Sequence, residues 1–419
     1  MEKYIINGGN RLSGSVEVQT AKNAVLPLLA ASILTEEPVT LHRCPGITDV
    51  KNMLKILEKL GCKIRHEGSS VTIDSGSASR HLIPQELAKE LRSSIFILGS
   101  ILSRFGYGKV SYPGGCDIGL RPIDLHINGL RQLGVVIDES GGFIECDGKN
   151  MRGGTVHLDF PSVGATENIM LAGAKARGRT VIRNAAKEPE ICDLQDFINR
   201  MGGKVSGAGT PTIEIEGVNR LHGCDFTPIP DRIVAGTYLM AGAMCGCDME
   251  LTGCVPEHIY SLIAKLRESA CLIDYKNDKI YIKQKGRLRG IPSIETSPFP
   301  GFPTDTQAQA MAMLSVAGGT SMIVEKIFET RFKHAAELNK MGADITVRGQ
   351  VAVVRGVERL MGAKVYAHDL RGGAALVLAA LSAEGQSEVC DIHYIDRGYE
   401  GMEHVLGKLG GDIKRVPGA

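Results

Sequence analysis

One unit is written six times along this chain, and a repeated unit settles fold class before any single motif does. A helix ending that passes through glycine into a short strand recurs at 57–64, 130–137, 198–205, 338–345 and 405–413, with a degenerate copy at 263–273. Glycine after the last helical turn is the expected cap, because it alone takes the left-handed conformation without strain. An apolar helix of small residues precedes the copies, as at 26–34, 95–102, 169–176 and 374–381, and a short β-rich piece, a loop and a second helix follow it. After the capping glycine come short strands such as 71–73 and 213–215. Each module is thus an α/β unit of roughly 70 residues, with a first helix apolar on most sides.

The sixth copy stops short of its final strand. Residues 4–14 resemble 213–223 and 352–362, which supply that strand elsewhere, so the N-terminal strand is expected to complete the last module. Two discontinuous domains follow. Domain one is 22–230, with modules one to three; domain two is 1–21 plus 231–419, with modules four to six. Two adjacent crossings would make a hinge, and a cleft between two similar domains is the expected ligand site.

Composition narrows function by exclusion. With 419 residues, 43% hydrophobic and 23% charged, the chain is expected to be globular, and its net charge of +1 with no basic block argues against nucleic acid. Any anionic ligand must be held by a few placed cations. Residues 1–10 do not read as a signal peptide, and no apolar run approaches the ~20 residues of a membrane span, so a cytoplasmic protein is expected. The 11 cysteines are an odd number spread along the chain, which points to free thiols. Cys245, Cys247 and Cys254 lie close in sequence without histidine neighbours and read as packing residues, not a metal site. P-loop, dinucleotide-binding and H-E-x-x-H signatures are absent from the sequence.

The loops carry the chemistry. Residues 111–126 join a strand to the second helix of module two and contain three glycines and two prolines. Cys116 follows Gly114-Gly115 at the tip of this loop, a poor place for a packing thiol. Arg121 could bind an anion, or pair with Asp124. Lys22-Asn23 and Arg92 stand at starts of buried helices, where unpaired N–H groups and the helix dipole favour anions. Arg371 precedes Gly372-Gly373 at another such start, while Arg331, Lys333 and Arg397 lie in loops. Taken singly, each is more readily a solvated or salt-bridged surface cation than a ligand contact; their repetition at loops and helix starts is what points to a site. Asp305 opens module five, where an N-cap and a general base are both open readings.

Pro113-Gly114-Gly115-Cys116, Gly119, Arg121-Pro122, Asp124 and His126 resemble the active loop of the UDP-N-acetylglucosamine enolpyruvyltransferases. Lys22-Asn23, Phe302-Pro303-Thr304-Asp305 with Gln307-Ala308-Gln309, Asp369-Leu370-Arg371 and residues 393–400 match as well, and the likeness runs from Ile6 to Val416. The resemblance implies an inside-out α/β barrel of two similar domains, three modules each. It implies transfer of the enolpyruvyl group of phosphoenolpyruvate to the sugar 3′-hydroxyl, without metal or organic cofactor. Lys22, Arg121 and Arg397 would hold phosphoenolpyruvate, with Arg92 nearby. Cys116 would protonate the methylene carbon and could trap the intermediate covalently, and Asp305 would accept the hydroxyl proton. Arg121, Pro122, Ile123, Asp124, Leu125, Ser162, Val163, Gly164, Asp305 and Ile327 would line the sugar-nucleotide site. Asn23, Arg331 and Arg371 also count toward the substrate site. The related 5-enolpyruvylshikimate-3-phosphate synthases lack the Pro-Gly-Gly-Cys loop, and a catalytically silent sugar-nucleotide-binding relative would need a broken site. Two departures stand out. Asp117 follows the cysteine where many relatives carry alanine, and Gly372-Gly373 replaces small Ala or Ser residues, which is expected to loosen that helix start.

Overall fold

The structure, a computed structural model, describes residues 2–83, 86, 95–111 and 123–417. The α-helices of these residues alternate in chain order between buried and amphipathic. They are α1 (Lys22–Ala31) and α2 (Thr48–Leu60), α3 (Ile97–Phe105) and α4 (Asp124–Gln132), α5 (Val163–Gly173) and α6 (Pro189–Arg200). They continue as α7 (Arg232–Cys245) and α8 (Tyr260–Glu268), α9 (Gln307–Ser315) and α10 (Lys333–Lys340), α11 (Leu370–Ser382) and α12 (Met402–Lys408). Among the described residues no helix is long and apolar enough to cross a membrane.

Two compact units result, divided at 19/20 and again at 229/230. One contains α1 to α6; the other contains α7 to α12 together with the N-terminal residues. Each has its own apolar core. In the second unit α7, α9 and α11 all touch one another; in the first, α3 packs on both α1 and α5. Small residues permit that closeness. A Cβ on Gly99 of α3 would fall 2.2 Å from the Asn168 carbonyl oxygen of α5, and one on Gly236 of α7 would fall 2.5 Å from Leu262 Cδ2 of the amphipathic α8 that packs on it.

The strands of the described residues form six four-stranded sheets with one topology. A first strand runs parallel to a second, and the second is antiparallel to the fourth, which pairs with the third. In two sheets the first strand comes from far along the chain. Asp225–Phe226 pairs with residues 40–41, and Leu12–Glu17 pairs with residues 247–252. Lys3–Asn7 lies between Gln386–Cys390 and Asp412–Val416, the place that Thr212–Glu216 and Val351–Arg355 hold in their own sheets. Two ladders therefore fasten the N-terminal residues to the second unit. The first strands escape a reading by pattern, since pieces such as Leu82–Ile83 are too short to show alternation.

All six amphipathic helices end alike. The N–H just beyond the left-handed residue bonds a carbonyl five positions back, as Cys62 does to Leu57 at 3.0 Å and Cys271 to Leu266 at 3.0 Å. Gly61, Gly134, Gly202, Gly342 and Gly410 hold the left-handed position in five copies, but in the degenerate copy it falls to Ala270, with φ +72°. A Cβ is strained there, and Ala270 is exposed. Ala270→Gly is expected to stabilise the protein by about 0.5–1 kcal/mol, the left-handed strain relieved less the entropy of a glycine. A rise in the urea unfolding midpoint checks this; an unchanged or lower midpoint contradicts it.

Candidate active site

In the first unit, Lys22 is the first residue of α1. A cation there opposes the helix dipole, and Asp49 in the first turn of α2 compensates, its Oδ2 2.7 Å from Lys22 Nζ. The lysine side chain keeps 12% of its surface and the aspartate 2%, so the charge is reachable while its counter-ion is not. Asn23 beside it is half-buried.

Asn168 of α5 organises the next cluster. Its Oδ1 accepts the Gly99 N–H at 2.7 Å, so its amide nitrogen is the group facing His126 Nδ1 at 3.2 Å. Nδ1 must accept, which puts the His126 proton on Nε2. The imidazole lies against Gly164, where a Cβ would sit 3.1 Å from His126 Cε1. Ile123, Asp124 and Leu125 at the start of α4 are thereby drawn beside Ser162, Val163 and Gly164 at the start of α5. Ser162 Oγ caps α5 by accepting from the Ala165 N–H at 3.3 Å. A cavity of about 420 Å³ adjoins, lined by residues that include Leu125, Asn128, Gln132, His157 and Asp159. Arg92, Cys116, Arg121 and Pro122 lie outside the described residues.

In the second unit the N-cap reading of Asp305 gives way. Residues Thr304–Thr306 form a 3₁₀ turn before α9, without a side-chain cap. Instead two arginines grip the carboxylate. Arg331 Nη2 is 2.6 Å from Oδ1, and Arg371 Nη2 is 3.5 Å from Oδ2. The Asp305 side chain keeps 27% exposure and each arginine 4%. Burial works against the Arg371 charge, but Tyr399, Asp305 and Asp231 outweigh it, and its pKa rises above the ordinary value. Arg331 Nη1 also donates to Thr304 Oγ1 at 2.9 Å, and its guanidinium lies 5.1 Å from the Phe328 ring centre.

Beneath this lies Glu325, fully buried and unremarked in the sequence reading. Its Oε2 accepts from Thr304 Oγ1 at 2.9 Å. Its Oε1 accepts from Thr296 Oγ1 at 2.8 Å and from the N–H groups of Ile327 and Phe328 at 2.9 and 3.1 Å. One carboxylate thus fixes the turn that carries Asp305 and the loop that carries Ile327. Only its place after the apolar strand Thr320–Val324 could have flagged it.

Arg371 follows Asp369, whose Oδ1 caps α11 by accepting the N–H groups of Arg371 and Gly372 at 2.9 and 2.8 Å. The expectation of a loosened start at Gly372-Gly373 is corrected here. A Cβ on Gly372 would lie 2.9 Å from Asp369 Oδ2, and one on Gly373 2.9 Å from Ala367 Cβ and from Ile395 Cγ1. The glycines tighten this start. His334, packed on Gly372, is pushed down to about 4, first by burial. Arg397 ends the 3₁₀ segment Ile392–Arg397, half-buried. Its neighbours are pinned: Arg415 makes a bidentate pair with Asp396 at 2.9 and 2.7 Å, and Gln19 bonds Gly398 O and Glu400 N at 3.1 and 2.9 Å.

Among the described residues no group of three His, Cys, Asp or Glu side chains could hold a metal ion. Burial pushes the Cys245 and Cys254 thiols up to about 12 and Cys247 to about 11, as packing thiols would be.

The family model for EPSP synthase (3-phosphoshikimate 1-carboxyvinyltransferase) matches residues 6–406. "UDP-N-acetylglucosamine 1-carboxyvinyltransferase 2" of Caldanaerobacter subterraneus subsp. tengcongensis is 53% identical over 416 residues, 99% of this chain and 100% of that protein. The chain belongs to the EPSP synthase family, among the UDP-N-acetylglucosamine 1-carboxyvinyltransferases. "UDP-N-acetylglucosamine 1-carboxyvinyltransferase 1" of Carboxydothermus hydrogenoformans is 48% identical, covering 100% of this chain and 99% of its own. The crystal structure of the enolpyruvyl transferase NikO from Streptomyces tendae is similar with a TM-score of 0.89 at 25% identity, over 100% of this chain and 99% of that one. An EPSP synthase from Acinetobacter baumannii shares the fold, with a TM-score of 0.78 at 19% identity over 100% of both chains.

Behind α1 packs α6, which buries Glu190 and Asp193. Asp193 Oδ2 accepts the Ile229 N–H at 3.3 Å, yet burial pushes the carboxyl up from 3.8 to about 7. The native state then holds a proton that the unfolded chain has lost. This contribution is complete below about pH 4 and disappears as pH rises through about 7. Asp193→Asn keeps an acceptor for Ile229 without the titration. The variant is expected to be more stable than wild type at pH 8, by a few kcal/mol at most, with the gap closing at pH 4. Urea midpoints at both pH values check this; equal midpoints at pH 8 contradict it.

Proposed function

We propose that this chain transfers the enolpyruvyl group of phosphoenolpyruvate to the 3′-hydroxyl of UDP-N-acetylglucosamine, releasing phosphate, as the first committed step of peptidoglycan precursor synthesis in the cytoplasm. Family membership and the names of its relatives support the reaction. The observation that carries the chemistry is the partly exposed Asp305 carboxylate, oriented by two buried guanidiniums. A general base must point one oxygen at the proton it takes, and two charge-assisted contacts on one carboxylate supply that orientation.

The roles follow. Lys22, Arg121 and Arg397 hold the phosphate and carboxylate of phosphoenolpyruvate, with Arg92 and Asn23 beside them. Cys116 gives its proton to the methylene carbon, leaving an oxocarbenium-like centre. The sugar hydroxyl attacks that centre while Asp305 takes its proton, and a tetrahedral adduct forms. Loss of a methyl proton and of phosphate then restores the double bond. Residues 121–125, 162–164 and Ile327 line the sugar-nucleotide site. Arg331 and Arg371 serve it by holding Asp305.

A phosphate-release assay tests the reading. Release is expected only with phosphoenolpyruvate and UDP-N-acetylglucosamine together. Dependence on shikimate 3-phosphate, or binding of the nucleotide sugar without turnover, contradicts it. Asp305→Asn is expected to lower kcat by about a hundredfold or more while UDP-N-acetylglucosamine still binds by calorimetry; wild-type turnover would remove the base. Cys116→Ser is expected to lose turnover and keep nucleotide-sugar binding, and a fully active serine variant would remove the proton donor.

A further inference from the structure

The polar groups buried behind Arg371 form a set whose proton directions can be assigned. Arg371 Nη1 donates to the Tyr399 hydroxyl at 3.2 Å. That hydroxyl is 2.9 Å from Thr237 Oγ1, and Gln309 Nε2 reaches Thr237 Oγ1 at 3.0 Å and the Tyr399 hydroxyl at 3.2 Å. Thr237 has one proton, and Ile233 O, 2.8 Å away, takes it. Thr237 can then only accept, so Tyr399 donates to it. The reverse amide orientation of Gln309 would set a carbonyl oxygen against Thr237 Oγ1, whose proton is already committed. Tyr399 thus accepts twice and donates once, and Thr237 does the same.

These four side chains are buried and come from separate elements. Thr237 belongs to α7, Gln309 to α9 and Arg371 to α11, and Tyr399 follows the 3₁₀ segment that ends at Arg397. The set therefore sits where three buried helices meet, and it ends on the guanidinium that holds Asp305 Oδ2. A buried guanidinium that lost one partner would turn toward others, because leaving it unpaired is costly. Its long 3.5 Å contact with Asp305 would be the first geometry to change.

We propose that Tyr399, Thr237 and Gln309 are positioning residues for the reaction, fixing Arg371 so that Arg371 and Arg331 present the Asp305 carboxylate to the sugar hydroxyl. The inference rests on the reading of Asp305 as the base. Phenylalanine at 399 fills the same volume and removes only the hydroxyl. A role confined to packing and stability predicts a lower melting temperature with kcat retained. A positioning role predicts loss of kcat at unchanged KM, since the Tyr399 hydroxyl bonds Arg371, Thr237 and Gln309, which hold the base and not phosphoenolpyruvate.

The test is steady-state kinetics of the full chain carrying Tyr399→Phe, Thr237→Val or Thr237→Ser, with Asp305→Asn in parallel and melting temperatures for all. Tyr399→Phe and Thr237→Val are expected to lower kcat by about tenfold to a hundredfold, with both KM values within about twofold of wild type. Thr237→Ser, which keeps the hydroxyl, is expected to restore kcat. Wild-type kcat in Tyr399→Phe beside a crippled Asp305→Asn would overturn the positioning role alone. Wild-type turnover in Asp305→Asn would overturn the base and this inference with it. A serine variant as slow as the valine variant would also contradict the proposal.

Discussion

Helices with no polar face must be buried on every side, and such helices, five of them among the described residues, dictate how this chain is built. The stretch 370–381 of α11 and the whole of α9 are buried throughout, and α1, α5 and α7 are nearly so. A helix of that kind cannot lie on a surface without leaving apolar area in water, at about 25 cal/mol per Å². Grouping three to a core, with sheets and amphipathic helices outside, removes that surface. Glycine and alanine at the contacts let the backbones come close, as at Gly99 against Asn168.

The same burial explains where the chemistry lies. A buried helix still has a start, and its first N–H groups lack intrahelical partners. Lys22 opens α1, Asp305 sits in the turn before α9, Arg371 is in the first turn of α11, and Ser162 caps α5. Three of these starts are held by something sequence-distant, Asp49 for Lys22, His126 for Gly164 and Glu325 for the turn at Asp305, while Asp369 caps the start at Arg371 locally. The reactive groups stand at the rims of rigid cores, which favours precise placement over adaptability.

The repeat made much of the fold legible. The capping glycines marked five helix ends, and the likeness of 4–14 to 213–223 has its counterpart in the shared sheet position of Lys3–Asn7 and Thr212–Glu216. The parallel first strands were not legible, because five of them have only two or three residues and carry no period, and two, Asp225–Phe226 and the six-residue Leu12–Glu17, pair with distant segments. Asp305 itself stood out, but not its environment. An aspartate before a helix looks the same in sequence whether it caps backbone N–H groups or binds two arginines from 26 and 66 residues away. Thr237 shows one polar letter in an apolar run, and Glu325 beside Lys326 reads as a charged strand end, signals shared with many ordinary buried hydroxyls and surface carboxylates.

The proposed reaction depends on Asp305 being the carboxylate that meets the acceptor. A crystal structure with UDP-N-acetylglucosamine and an unreactive phosphoenolpyruvate analogue tests that directly. The sugar 3′-hydroxyl is expected within about 2.6–3.2 Å of an Asp305 carboxylate oxygen, with Arg331 and Arg371 still on that carboxylate. A hydroxyl directed at another side chain, with Asp305 out of reach, would contradict it.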